Sequence, residues 1–168
     1  YYLLDQWRGR VDFPTLKAEA EARYFKWLPR VVLIEDAVNG VPLIQTLRQT
    51  TPMPVLAIKP RGSKEARVDA ITPIFESGHV VLPRSAPWLG DWISEHIAFP
   101  QSAHDDQVDT TSMCLSWLRA RSMADRQMIE MGVAGNGHKE PRGLQERILA
   151  HRAGRDTQLP QRTTVRRV

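Results

Sequence analysis

Val31-Val32-Leu33-Ile34-Glu35-Asp36-Ala37-Val38-Asn39-Gly40 decides how the rest of this chain is read. Four apolar residues in a row suit a short strand buried on both faces of a parallel sheet. Glu35 and Asp36 close that strand, and Asn39-Gly40 marks a turn. In open α/β sheets, ligands gather outside the carboxyl ends of the strands, so an acid placed there is a candidate functional group. A lone buried charge is costly unless metal or hydrogen bonds compensate it. Side chains alternate along extended backbone, so one of the two acids faces a site, and Glu35 is preferred. The plain alternative is that either acid caps the turn around Asn39.

Upstream, residues 1–11 alternate loosely and are expected to form half of a hairpin, an antiparallel edge to the sheet. Asp12-Phe13-Pro14 breaks that strand, and Pro14 suits a first helical turn. Leu16, Ala20, Tyr24, Trp27 and Leu28 recur at helical spacing, which predicts a helix over 15–28 ended by Pro29. Downstream, the pattern predicts a helix over 41–49, a strand over 55–58 and a helix capped by Ser63 that runs to about Glu76. Residues 79–82 read as a further strand. Pro87 opens a helix with Leu89, Ile93 and Ile97 on one stripe and Trp88 and Trp92 on another, and Phe99-Pro100 ends it. A last helix is expected over 105–119, with Val108, Thr111, Leu115 and Leu118 toward the core. Strands alternating with helices imply an α/β fold with a largely parallel centre.

Bulk properties agree with a globular domain. The 168 residues are 42% hydrophobic and 25% charged, ordinary values for a soluble protein. A single cysteine, Cys114, excludes an internal disulfide framework and a cysteine-built zinc site, which fits a reducing cytosol. Neither a membrane-length apolar run nor a signal-peptide pattern is present. The chain opens on Tyr1-Tyr2-Leu3-Leu4 without an initiator Met and is expected to be a piece of something longer. Residues 1–118 hold 12 Lys and Arg against 14 Asp and Glu, whereas residues 119–168 hold 11 against 5. Residues 1–120 are therefore expected to form the domain. Residues 121–168 are expected to be a basic, partly disordered tail, with a loop at 134–138 and at best one short helix over 143–153. Basic tails often meet nucleic acid or acidic surfaces, and a merely solvated tail is the equal alternative.

A second acidic group lies at the start of the last helix, in His104-Asp105-Asp106-Gln107-Val108-Asp109. Asp105 and Asp109 share a face, and Asp106 and Asp109 are also neighbours, so their charges repel. A divalent cation turns that repulsion into attraction, because Mg²⁺ and Mn²⁺ prefer hard oxygen ligands. Capping and the helix dipole explain one of these acids comfortably, but three acids with His104 less well. Lys59, Arg61, Lys64 and Arg67 put four positive charges within nine positions, which suits phosphate contact; an exposed helix start is the alternative. Trp88 and Trp92 suit packing better than base stacking. Glu95 is expected to be an exposed helix carboxylate, with a role at or behind a metal as the second choice. His79, His96, His138 and His151 show no ligand spacing, and no glycine-rich phosphate loop is present.

Taken in order, these segments resemble a known family. Val32-Leu33-Ile34-Glu35-Asp36-Ala37 with Asn39-Gly40, Lys64-Glu65 with Arg67, Glu76-Ser77-Gly78-His79-Val80, Pro87-Trp88-Leu89, Phe99-Pro100 and His104-Asp105-Asp106-Gln107-Val108-Asp109 are similar to the C-terminal nuclease domain of the terminase large subunit of tailed phages and prophages. The resemblance spans roughly residues 1–118. It implies an RNase H-like mixed sheet flanked by helices and a two-metal endonuclease that cuts concatemeric double-stranded DNA during genome packaging. It makes Glu35 the strand-end metal ligand. Asp105 or Asp106, with Asp109 as a further candidate, becomes the helix-borne acid, and His104 a ligand or proton carrier. Lys64 and Arg67 become contacts to backbone phosphate. Mg²⁺ or Mn²⁺ is the implied cofactor. Double-stranded DNA, a packaging ATPase domain, the portal and the small terminase subunit are the implied partners, in the host bacterial cytoplasm and away from membranes.

The family carries another catalytic Asp on a first strand, immediately before the strand that Tyr1 begins. Asp5 lies in the second strand and does not replace it, so this stretch alone is expected to bind metal weakly and to be inactive. Two rival readings stand beside the packaging nuclease. One is another RNase H-like phosphodiesterase, such as a transposase or junction resolvase core; the other is a non-catalytic module that binds DNA or a packaging partner.

Overall fold

The computed structural model describes residues 1–130. They form two compact units, one of Trp7–Arg67 and one that joins Tyr1–Gln6 to the chain from Val68 onward. Among the described residues there are five helices and a two-stranded parallel sheet, a mixed α/β composition. No described helix is long and apolar enough to cross a membrane. The expected loop at 134–138 and helix over 143–153 lie outside the described residues, as does most of the expected tail.

The contiguous unit begins with α1, Phe13–Trp27. Asp12 caps it, its Oδ1 accepting from the Thr15 N–H at 3.1 Å. Hydrogen bonds from the side chain and backbone of Thr15 hold the Asp12 carboxyl below the ordinary carboxylate range. The helix ends where Leu28 turns left-handed, φ 44°, and its N–H returns to the Tyr24 carbonyl at 2.7 Å, with Pro29 barring continuation. On the outer side Lys17 pairs with Glu21 at 2.8 Å. Strands β1, Val32–Glu35, and β2, Val55–Ile58, pair in parallel with Val32 opposite Val55 and Glu35 opposite Ile58. The parallel direction requires a crossover, supplied by α2, Gly40–Thr50. Leu43, Leu47 and Met53 form the buried core here, and Leu16, Ala20, Tyr24, Val32, Ile34 and Val55 pack on it.

β1 is half-buried, against the expectation of a strand covered on both faces. Among the described residues its sheet has two strands, so each is an edge, and Leu56 on β2 is 39% exposed.

The other unit contains the body of α3, Lys64–Glu76, together with α4, Leu89–Ala98, and α5, Asp106–Glu130. Ile71, Ile74 and Leu115 make its core, flanked by Phe75 and Val80. The expected hairpin strand at 1–11 and strand at 79–82 reduce to one bridge, Tyr2 with Val81, and it is parallel rather than antiparallel. Val81 N–H reaches the Tyr1 carbonyl at 2.8 Å, and Leu3 N–H reaches the Val81 carbonyl at 3.0 Å. The next rung would need an N–H at position 83, which is Pro83 and has none, so the ladder stops. Helix α5 continues past the expected end at Arg119 to Glu130.

Candidate functional site

At the end of β1 the Glu35 side chain is exposed. Its backbone is tightly held. Asp36 N–H continues the ladder to the Ile58 carbonyl at 2.7 Å, and the chain turns at once, Gly40 N–H reaching the Ala37 carbonyl at 2.8 Å. A Cβ on Gly40 would lie 1.9 Å from the Glu35 carbonyl oxygen. Glycine is therefore required where α2 starts against the strand end. This close approach, rather than turn formation alone, explains Asn39-Gly40.

The basic loop follows β2 in the same unit. Gly62 adopts φ 77°, a left-handed conformation that suits glycine, and places Ser63 to cap α3 by accepting from the Ala66 N–H at 3.2 Å. Lys59, Arg61 and Lys64 are exposed, and Arg67 is half-buried with its Nη1 reaching the Gly62 carbonyl at 3.4 Å. Glu65 sits among these cations. Its own backbone N–H and the Ser63 hydroxyl, with Arg67 and Lys64 nearby, hold its carboxyl below the ordinary range.

The α5 acids lie in the other unit. Asp105 is the N-cap position, since its carbonyl accepts the first helical bond from Asp109 N–H at 2.9 Å. His104 and Asp106 are exposed, whereas Asp105 and Asp109 are half-buried. The helix start thus brings His104, Asp105, Asp106 and Asp109 together within little more than one turn, while Glu35 belongs to the Trp7–Arg67 unit. Among the described residues, no group of three or more His, Cys, Asp or Glu side chains is gathered so as to hold a metal ion by itself. The donor chemistry nonetheless suits a hard cation, and Mg²⁺ commonly binds through one or two carboxylates and completes its shell with water and substrate phosphate.

Glu95 departs most from the sequence reading. It is 7% exposed, buried rather than solvated. One oxygen accepts from the Gln107 N–H at 2.6 Å and the Val108 N–H at 3.4 Å, and the other from Gln107 Nε2 at 2.6 Å. Beside it, His96 stacks on Trp92 with ring centroids 3.7 Å apart. His96 Nδ1 lies 2.8 Å from the Trp92 carbonyl, and Nε2 lies 3.1 Å from Thr111 Oγ1. A carbonyl only accepts, so Nδ1 carries the proton and Nε2 accepts from the threonine hydroxyl. Burial pushes the His96 pKa below its ordinary value, against the opposing pull of the Trp92 carbonyl and the Glu95 charge.

Residues 92, 95 and 96 share one helical stripe, so the reading of Trp92 as a packing residue already implied that Glu95 and His96 lie on the inner side. The aliphatic stripe is the less buried one, with Leu89 and Ile93 half-buried and Ile97 79% exposed. Trp92 wins the inner position because it buries far more area than an aliphatic side chain. Ser112, fully buried and donating to the Asp109 carbonyl at 2.9 Å, is a second polar residue that apolar periodicity could not mark.

A family model described as terminase RNaseH-like domain matches the chain over residues 1–117. No curated protein and no solved structure matches the chain.

Proposed function

Since residues 1–117 place this chain in the terminase RNase H-like family, we propose that it is the nuclease domain of a DNA-packaging terminase, hydrolysing concatemeric double-stranded DNA. The observation that carries the reading is the carboxylate-rich start of α5, within the region matched to a nuclease-type fold. Asp105, Asp106 and Asp109, with Glu35 in the role of the family's strand-end ligand, would hold Mg²⁺ or Mn²⁺. Bound there, a divalent cation supplies an activated water and charge neutralisation at the leaving oxygen.

The chain's own residues supply the rest. Asp105 and Asp109, one turn apart, offer oxygens on one helical face and orient what they hold. His104, exposed at the helix mouth, is available to move a proton to or from water. Lys59, Arg61, Lys64 and Arg67 contact backbone phosphates and fix register on the duplex without reading sequence. Double-stranded DNA, the packaging ATPase domain, the portal and the small terminase subunit are the proposed partners, in the host bacterial cytoplasm.

The test is nicking of supercoiled plasmid with Mg²⁺ or Mn²⁺ by a polypeptide that also carries the strand which the family places ahead of Tyr1. Glu35→Ala and Asp106→Ala should each abolish nicking while leaving DNA binding in place. Cleavage that survives both substitutions, or DNA binding with no metal-dependent cleavage at all, overturns the assignment. The second outcome favours a binding module.

A further inference from the structure

Charge is unevenly divided along the body of the chain. Trp7–Arg67 holds 11 Lys and Arg against 6 Asp and Glu, whereas residues 68–118 hold one such cation, Arg84, against 7 acids. The loop after β2 accounts for Lys59, Arg61, Lys64 and Arg67. We propose that the same unit has a second surface for duplex DNA, built from Arg8, Arg10, Lys26 and Arg30, which rests on the reading that this chain acts on double-stranded DNA.

The way the chain enters α1 sets out the first two cations. Arg23 lies over the Trp7 ring at 4.8 Å, while Asp12 caps the far end of the helix at Thr15. Phe13 to Arg23 covers about 15 Å of helix, and Trp7 to Asp12 can span about 17 Å when extended. The segment over 7–12 therefore runs back along α1 as extended backbone. Trp7 lies across Gly9, where a Cβ would fall 2.6 Å from its ring. Residues two apart share a face of such a segment, so Trp7 and Gly9 occupy one face and Arg8 and Arg10 the other. Both arginines are exposed there, about 7 Å apart along the backbone.

Lys26 stands three residues beyond Arg23, on the neighbouring turn, with its ammonium 5.0 Å from the Trp27 ring centroid. Arg30 follows the left-handed turn at Leu28, and both side chains are exposed. The sequence has no Asp or Glu between Trp7 and Val11 or between Ala22 and Ile34. The nearest acids are engaged: Asp12 at the helix start, Glu19 with Arg23 and Glu21 with Lys17. The helix dipole accounts for a cation in the last turn, hence Lys26, but not for Arg8 and Arg10, which lie outside any helix.

This surface is separate from the 59–67 loop. Arg30 comes just before β1, at the amino edge of the sheet, and Arg48 adds charge at that edge, with its Nη2 3.1 Å from the Val55 carbonyl. The loop leaves the carboxyl edge, about 13 Å away along a strand of four residues. A duplex repeats one charge per strand about every 3.4 Å of its axis, so exposed cations spread along straight backbone meet phosphates without a shaped pocket. Such contacts hold the duplex and carry no sequence information.

Binding of the 168-residue chain to a fluorescein-labelled duplex, read by anisotropy across a salt series, tests this alongside thermal melting. Arg8→Gln with Arg10→Gln, and separately Lys26→Gln with Arg30→Gln, should each lower the slope of log affinity against log salt by about 0.9 to 1.8, one or two phosphates each. Melting temperatures should stay within a few degrees of the parent. Lys17→Gln with Arg84→Gln removes the same charge elsewhere and should keep the parent slope. An equal fall in that control, or the parent slope in both test pairs, overturns the proposal. If one test pair does not fold, the other decides alone. Test pairs that lose binding to poly-L-glutamate while keeping the parent slope on duplex DNA assign the surface to an acidic protein and also overturn it. A parent chain without salt-dependent duplex binding sinks the DNA reading itself. A parent that binds, with unchanged slopes in both test pairs, sinks only the second surface.

Discussion

A single methyl group at position 40 would collide with the Glu35 carbonyl oxygen, whereas one at position 90 would meet nothing within 4 Å. The two glycines therefore give opposite signs on the same substitution. Gly40→Ala forces the start of α2 away from the strand end and should destabilise by about 1–3 kcal/mol, the usual scale of overpacking. Gly90 lies inside α4, where alanine is the better helix former, so Gly90→Ala should stabilise by up to about 1 kcal/mol. Urea denaturation followed by circular dichroism reads both, and a shift in the same direction for the two would refute the geometry at the end of β1. The position of Glu35 is thus decided less by its own side chain than by a residue with no side chain.

At the scale of elements, the junction of α4 and α5 carries the pH dependence. His96 is held neutral by burial, and its pKa is depressed in the folded state. The unfolded chain therefore takes up a proton at higher pH than the folded one. The His96 contribution to stability is complete above about pH 6.5 and is lost as pH falls through and below that value. His96→Gln should flatten this limb of a stability-versus-pH curve, measured as urea midpoints between about pH 7 and pH 5. An unchanged slope would place the titrating group elsewhere. The same junction shows what the sequence could and could not reveal. Helical spacing, Pro14 and Ser63 located α1 to α3 closely, and the apolar runs at 32–35 and 55–58 located the sheet. Periodicity ranks residues by polarity, however, so it sends Glu95 to solvent even with Trp92 read as packing. A buried carboxylate is legible only through its partners, and these lie twelve positions away in a different helix. The bridge at Tyr2 escapes periodicity for a related reason: alternation signals extended backbone, but the missing donor of Pro83 decides how far pairing runs.

For the whole molecule, the net charge of +4 conceals a slightly acidic body followed by a basic end. Non-specific attraction to DNA and specific phosphate binding by the 59–67 loop should therefore separate in salt titrations. Lys59→Ala with Arg61→Ala should lower the slope of log affinity against log salt by about 0.9 for each phosphate that is no longer neutralised on duplex DNA. A slope equal to that of the parent would remove the loop from the DNA-binding surface. The bridge of Tyr2 with Val81 has a separate consequence for how the chain comes off the ribosome. Trp7–Arg67 is continuous, so the residues of its core have all been translated once Arg67 is out. Tyr1–Gln6 joins a segment made some eighty codons later. Vectorial synthesis at about 5–20 residues per second puts several seconds between the two segments, so the bridge closes well after the Trp7–Arg67 unit has been made.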